Sequence, residues 1–574
     1  MRSLTLLSLL TAVSAVSADS PPATPATPSA DTSCRAFPGT PSWPSESSWS
    51  ALNTTLSGRL IPTLPLASVC HDPHYDAAAC LAVQAKWRDP ALHDSSSSSI
   101  MAPVWSARSC DPFTPREQPC ELGNYVHYAI NVTSAADIAV GLKWAKEHNV
   151  RVVVRNTGHD YLGKSTGAAG LGLWMHHMKE VVYHEDWVGE GYRGKAFTFG
   201  AGVQGFEAYQ EADQRGLVVV GGECPTVGIA GGYTQGGGHS ALNSRYGLAA
   251  DQVLEWEVVT ADGEVRKVRR GDDLYWALSG GGGGTFGVVT AMTVKAFPDE
   301  VTTVAKVTWT NDGTKEQEEK FWEAVGFFHQ QTPGYTDAGI TSVNVAMKGV
   351  FMLTPFFAKG FNKEETNVLL MPLLNKLSEL KVPHTVNVTE YPGYKKAFYA
   401  GFDYIEVGIA QYGGRLIPRR TVLYEAEKLE KTVRGIVDSG SLIFEVMTHP
   451  TLELAGYPDN SVLPAWRENQ LNLVTTIPWN DTAPWSQVVA DQKTVTEKWG
   501  EALRQLTPGS GTYMSEADPF EPDFKTAFFG KNYDRLLKIK DKYDPDQIFW
   551  ARTAVGSDRW AEKENGQLCR IAEN

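Results

Sequence analysis

The side chains best suited to chemistry in this chain stand in glycine-rich surroundings. His159 lies between Gly158 and Asp160 in "VRNTGHDYLGKSTGAAGLGLWMHHMK", and Cys224 stands alone in "GGECPTVGIAGGYTQGGGHS". Such glycine-rich flanks give the conformational freedom that a large ligand lying against the backbone would need, and that an ordinary loop would need as well. Each residue also has an ordinary reading. A lone histidine is most often a polar loop residue, and a lone cysteine is most often buried and inert. A metal site has little support, because His71/His74 and His176/His177 lack thiolate or carboxylate partners at convincing spacing. There is no Gly-x-Ser-x-Gly elbow, and no carboxylate pair stands out as a glycosidase couple.

These residues must be positioned by the elements that feed them. Three glycine runs, 158–172, 221–238 and 280–287, each read as fed by a β-strand. One run alone is more often a turn than a cradle; three in one region favour a shared ligand of dinucleotide size, approached by backbone N–H groups. Spelling alone misleads here. "GHDYLGKS" fits the P-loop pattern but no helix follows it, and "GGGTFG" runs into a strand. "GAGVQG" at 200–205 is the better dinucleotide candidate, with a strand before it, a helix after it and Glu223 at about the right distance. A dissociable nicotinamide cofactor is therefore an alternative, opposed by the secretory character of the chain.

That character comes from the start, "MRSLTLLSLLTAVSAVSADS", which reads as a signal peptide over 1–18. A Pro/Ser/Thr linker and a cysteine-containing segment fill 19–123. Asn53, Asn131, Asn387 and Asn480 begin x-Thr sequons. The seven cysteines leave one over in any pairing, and Cys224 is the odd one by position. The other six allow fifteen connectivities that sequence does not resolve; Cys70 with Cys80 and Cys110 with Cys120 are the short-range candidates, which would leave Cys34 with Cys569. A net charge of −14 without Lys/Arg clusters excludes nucleic acid and anionic membrane as expected partners.

Regular patterns begin after Asn124. "YVHYAINV" alternates as a strand, Ser134 and Asp137 spell a helix start, Asn149 suits its end, and "VRVVV" is a buried strand. Residues 253–260 and 264–268 read as a hairpin. Beyond Pro298 the order suggests an antiparallel sheet with helices on one side, "SVNVAMKGVFML" forming one of its strands. The fold class expected is α+β, divided into 124–298, 299–505 and a returning segment at 506–574.

Together, "RNTGHDYLG", "FGAGVQG", "GGECPTVGIAGGYTQGGGHS…YGLAAD" and "WALSGGGGGTFGVVT" resemble the flavin-binding domain of the berberine bridge enzyme-like oxidases, in the vanillyl-alcohol oxidase fold superfamily. "TYMSEAD…GKNYDRLLKIKDKYDP…F" is similar to that family's closing segment. The match covers about 124–298 and 511–554, with the middle alike in layout. The resemblance implies FAD attached twice, from His159 to its 8α carbon and from Cys224 to its C6. Arg155, Asn156, Thr157, Gly158, Gly163, Gly222, Val227, Gly228, Gly231, Gly232, Gly237, His239, Gly287 and Val289 are expected to surround it. Val227 matches the position that gates O₂. The implied activity is a secreted oxidase that moves hydride from an alcohol or carbohydrate C–H bond to FAD, with O₂ reoxidation to H₂O₂. Oxidative cyclisation or dehydrogenation of a secondary metabolite, and a non-redox binding protein, are the alternatives. The chain departs from the family at the reacting end. Gly232 and Tyr233 stand where several relatives carry a histidine, with His239 after the next glycine triplet. Tyr513-Met514-Ser515-Glu516 replaces Tyr-x-Asn-Tyr, which puts Glu516 at the position of the implied base or, as the alternative, of a group that caps or hydrogen-bonds the flavin-clamping segment; Tyr513 is the substitute base, with attention passing next to Trp466 and Arg467.

Overall fold

The computed structural model describes residues 34–402 and 405–571, and backbone pairing there builds three sheets of four or more strands. The first joins β1 (Leu60–Pro62), β2 (Tyr128–Asn131), β3 (Val152–Arg155) and β4 (Leu171–Trp174) in the order β1-β2-β4-β3. β4 runs parallel to both β2 and β3. The helix Ala135–Glu147 connects β2 to β3. Its start is a reciprocal capping box between Ser134 and Asp137, and it buries Ile138, Leu142 and Ala145. Asn149, just past its end, takes the left-handed conformation, with φ 51°.

The second sheet is antiparallel. It contains β5 (Val181–Gly189), β6 (Tyr192–Gly200), β7 (Val253–Val259), β8 (Val265–Arg269) and β9 (Val288–Lys295) in the order β5-β6-β9-β7-β8. β6 and the helix Gly205–Asp213 do supply the strand and helix that a dinucleotide fingerprint at 200–205 requires. Their surroundings do not. β6 pairs antiparallel on both sides, and a Cβ on Gly202 would lie 2.3 Å from the His176 carbonyl oxygen. That turn is filled by protein backbone, so the nicotinamide reading of "GAGVQG" is corrected.

The third sheet has seven strands: β10 (Thr302–Thr310), β11 (Thr341–Met347), β12 (Val350–Lys359), β13 (His384–Tyr391), β14 (Ala410–Pro418), β15 (Leu442–Met447) and β16 (Asn469–Pro478). Their order is β13-β10-β12-β11-β15-β16-β14, all antiparallel. Helices Lys315–Asp337, Lys363–Glu379 and Ala426–Asp438 pack on one face around Trp309, Phe321, Phe328, Phe351 and Leu473. The segment expected as a single strand over 342–353 is a hairpin. It turns at Gly349, whose φ of 76° suits a residue without Cβ. The signal-peptide and linker expectations for 1–33 lie outside the described residues. Among the described residues, no helix is long and apolar enough to cross a membrane.

Three disulfides, Cys34–Cys569, Cys70–Cys80 and Cys110–Cys120, follow the expected pairing, with Cys224 unpaired. A second tie holds the C-terminal segment. The Lys540 ammonium, on the helix Tyr533–Tyr543, donates to Asp544 (2.6 Å), to the Thr285 carbonyl (2.7 Å) and to the Phe549 carbonyl (2.7 Å). The Asp544 carboxylate, fully buried, also accepts from the Ile548 and Phe549 N–H groups. Lys540→Met removes the cation and strands that carboxylate, which costs about 3–5 kcal/mol for a broken buried pair. The expected outcome is a clear drop in thermal midpoint; an unchanged midpoint would show that the clamp is dispensable.

Candidate active site

One cavity gathers segments far apart in sequence. Its walls come from residues within 156–165, 222–235, 282–284, 405–412, 513–516 and 549–551, with Val152, Val154, Met175, His239 and Val289 between them. All three glycine runs contribute, although the third follows the helix Asp273–Leu278 and not the expected strand. A Cβ on Gly228 would lie 2.0 Å from the Asn156 side-chain oxygen, so the loop and the strand end meet without room for a side chain.

Of the positions expected from sequence, Asn156, Thr157, Gly158, His159, Gly222, Cys224, Val227, Gly228, Gly231, Gly232, His239, Val289, Tyr513 and Glu516 line the cavity. Arg155, Gly163, Gly237 and Gly287 do not. The Arg155 guanidinium lies buried behind the wall, donating to the Ser99 carbonyl (2.5 Å) and the His93 carbonyl (3.2 Å). Gly158, with φ +94°, crosses directly over it; a Cβ there would sit 2.6 Å from the guanidinium carbon. Gly163 packs on the Trp105 indole, and Gly287 packs against Val258. The Gly237 carbonyl accepts from the Ala250 N–H. These four shape the loops and leave the contact to their neighbours.

His159 and Cys224 share one hydroxyl. Thr226 Oγ1 lies 2.8 Å from His159 Nε2 and 3.4 Å from Cys224 Sγ. The Gln204 amide fixes Thr226 from behind, donating to its carbonyl (2.6 Å) and to Asp94 (2.7 Å). Burial, aided by the neighbouring Arg155 guanidinium, pushes the His159 imidazole down to about 3. It is therefore neutral at physiological pH, with a nucleophilic lone pair, and Nδ1 is the nitrogen that the Thr226 contact leaves over. Burial raises the Cys224 thiol above its ordinary value, while the Thr226 contact works against that. Asp160 organises the loop after His159, accepting from the N–H groups of Leu162, Lys164 and Ser165.

A charged group stands in the same cavity. His239 Nε2 lies 2.8 Å from Glu516 Oε1, and His239 Nδ1 lies 3.4 Å from Glu223 Oε1. Burial disfavours the imidazolium, but the two carboxylates outweigh it and raise His239 well above its ordinary value. Asn472 donates to the other Glu516 oxygen at 3.2 Å. Glu516 is thus the carboxylate of an ion pair held by a neutral donor as well. Tyr513 is buried between His239 and Trp466, with ring centroids 5.3 Å and 5.4 Å away, and burial raises its phenol. Arg467 points elsewhere, forming a buried pair with Asp251. Tyr161 and Tyr412 stack at 4.1 Å across the wall, and burial pushes Tyr412 up to about 12.

Sequence reasoning missed Thr226, Asn472 and the tyrosine stack, and weighed Glu223 only as a ribose ligand. Asn472 had a signal, because an amide within the apolar strand "LNLVTTI" needs a partner when buried. Tyr412 had none, because the Gly413-Gly414 pair that follows it hides the alternation of its strand.

Comparison with known proteins bears on this geometry. Residues 126–269 match the family described as FAD binding domain, and 512–556 match the one described as berberine and berberine like. The FAD-linked oxidoreductase patO of Aspergillus clavatus is 44% identical over 548 residues, 94% of this chain and 95% of that one. The crystal structure of the VAO-type flavoprotein MtVAO615 from Myceliophthora thermophila C1 superposes with a TM-score of 0.90 at 39% identity, covering 94% of this chain and all of that one. Glucooligosaccharide oxidase from Acremonium strictum, whose structure is described as carrying 6-S-cysteinyl, 8α-N1-histidyl FAD, shares the fold at 20% identity and a TM-score of 0.61, over 75% of this chain and 91% of that one. The glycine-walled cavity, with a neutral imidazole and a free thiol sharing one hydroxyl, fits FAD. The chain belongs to the berberine bridge enzyme-like FAD-linked oxidoreductases of the vanillyl-alcohol oxidase superfamily.

Proposed function

We propose that this oxidoreductase holds FAD through both His159 and Cys224 and oxidises an alcohol or carbohydrate carbinol. The observation that carries the reading is the shared Thr226 hydroxyl. The two attachment points of the distant glucooligosaccharide oxidase, 8α and C6, lie on one six-membered ring, and here the imidazole and thiol converge on one small group. Asn156, Thr157 and the glycines of the three runs would line the rest of the cofactor, with 299–505 as the substrate domain. FAD, when bound, supplies a hydride acceptor that passes its electron pair to O₂ with release of H₂O₂.

The chain's own task is the proton. A carbinol gives up hydride readily only as its O–H proton leaves, so a base within hydrogen-bond reach is required. Glu516 takes that role. Each carboxylate oxygen accepts more than one hydrogen bond, so the His239 and Asn472 contacts leave lone pairs for the substrate hydroxyl. The side chain keeps 26% exposure, consistent with access from the cavity. Tyr513 is buried and its phenol raised, which suits a wall that orients His239 better than a base. Secretion agrees with three disulfides.

Three outcomes follow. Denatured wild-type protein keeps its flavin fluorescence on a gel, His159→Ala and Cys224→Ala each retain it through the remaining bond, and the double variant loses it. Release of flavin from wild type by acid precipitation would remove the bicovalent reading. Glu516→Gln keeps the flavin but slows anaerobic flavin reduction by about 10²-fold or more, the usual contribution of a general base; a near wild-type rate would assign Glu516 to structure. Val227 lines the cavity with its backbone fixed, its N–H to Cys224 and its carbonyl to Gly205. Val227→Leu is expected to slow reoxidation by air in stopped flow, and an unaltered rate rejects the gate.

A further inference from the structure

The seven-stranded sheet has two faces: the three long helices cover one, and on the other the helix Tyr394–Gly401 packs only over the end that bears Val304, Pro355 and Phe357. Directly paired residues on antiparallel strands share a face, so the register identifies the other. One row crosses six strands: Gly414 pairs with Val474, Val474 with Phe444, Phe444 with Val345, Val345 with Met352, and Met352 with Thr308. This face turns toward the cavity. A Cβ on Gly414 would lie 2.7 Å from the Glu516 carbonyl oxygen. In the adjacent rows Asn472 reaches the Glu516 carboxylate, and Tyr412 lines the cavity. The row therefore begins beside the expected base and runs away from it. Phe444 and Met352 are half-buried, recessed but open, whereas Val474 and Val345 are buried between their neighbours.

From Val474 to Met352 the row offers no side-chain donor or acceptor. A carbohydrate laid there would lose water from its hydroxyls without replacement, and each unpaired polar group carries a penalty. A hydrocarbon would lose nothing and gain apolar burial. We infer that this row binds the apolar tail of the substrate, so that the enzyme takes an elongated, hydrocarbon-bearing alcohol in preference to a sugar. The inference rests on the hydride-transfer reading above for the reacting end and on the register for the tail.

Calorimetric titration of the purified flavoprotein with n-alkanols from butanol to decanol, and with cellobiose, tests it. The expected Kd falls by about fourfold per added methylene, from roughly 0.8 kcal/mol per buried CH₂, while cellobiose binds weakly. Phe444→Asp and, independently, Met352→Asp flatten the series. Val368→Asp, on the outer surface of the helix Lys363–Glu379 and 63% exposed in the native residue, leaves it intact. A Kd independent of chain length overturns the inference, as does a series unaltered in both row variants; the wild-type series decides if either variant fails to fold. Anaerobic flavin reduction, followed in parallel, separates the two readings. Length-dependent binding without reduction retires the alcohol oxidation and keeps the row. Reduction with flat binding does the reverse.

Discussion

A single buried ammonium group holds the active site together. Lys540 bonds at once to a carboxylate four residues on, to the carbonyl of Thr285 beside the third glycine run, and to the carbonyl of Phe549. Gly282, Gly283 and Gly284 on one side, and Phe549, Trp550 and Ala551 on the other, are cavity walls. A lysine is costly to bury unless every proton finds an acceptor, and here all three do. The price of desolvation is met by geometry that fixes two chain segments more than 250 residues apart, as Thr285 and Phe549 show.

The same economy governs the reacting end. The chain carries a net charge of −14, yet the cavity places two glutamates around one histidine and so pairs its own charge locally. The phosphate-binding walls of a flavin site need no basic side chain when glycine lets backbone N–H groups approach. Both histidines are buried, and burial alone keeps an imidazole neutral, as at His159; at His239 the Glu516 and Glu223 carboxylates outweigh it and favour the charged form. Two histidines of one sequence are thereby set to opposite tasks by what stands within a few ångströms.

Much of this was legible in the sequence wherever a local rule is strong. The Ser134–Asp137 capping box, the left-handed Asn149, the hairpin over 253–268 and all three disulfide pairings are in the structure. What the sequence hid depends on contacts between distant segments. Nothing near Arg155 announces that its side chain turns behind the loop to bind Ser99 and His93. "GAGVQG" has the right local elements and the wrong sheet, a matter of strand direction that no short window contains. Strands β13 and β14 escaped because one is an exposed edge and the other carries two consecutive glycines, so neither shows a clean apolar alternation.

The clamp and the disulfide from Cys34 to Cys569 also order events during synthesis. Tyr513, Glu516 and Phe549–Ala551 are cavity walls, and all of them emerge from the ribosome after the two glycine loops that bear His159 and Cys224. Without the segment that follows the helix Tyr533–Tyr543, the pocket lacks the side that Phe549, Trp550 and Ala551 form. Contacts of such long sequence separation are the last to repay their loop-closure entropy. A chain cut before Tyr513 would lack Tyr513, Glu516 and Phe549–Ala551, and would leave the cavity open on the side that they form.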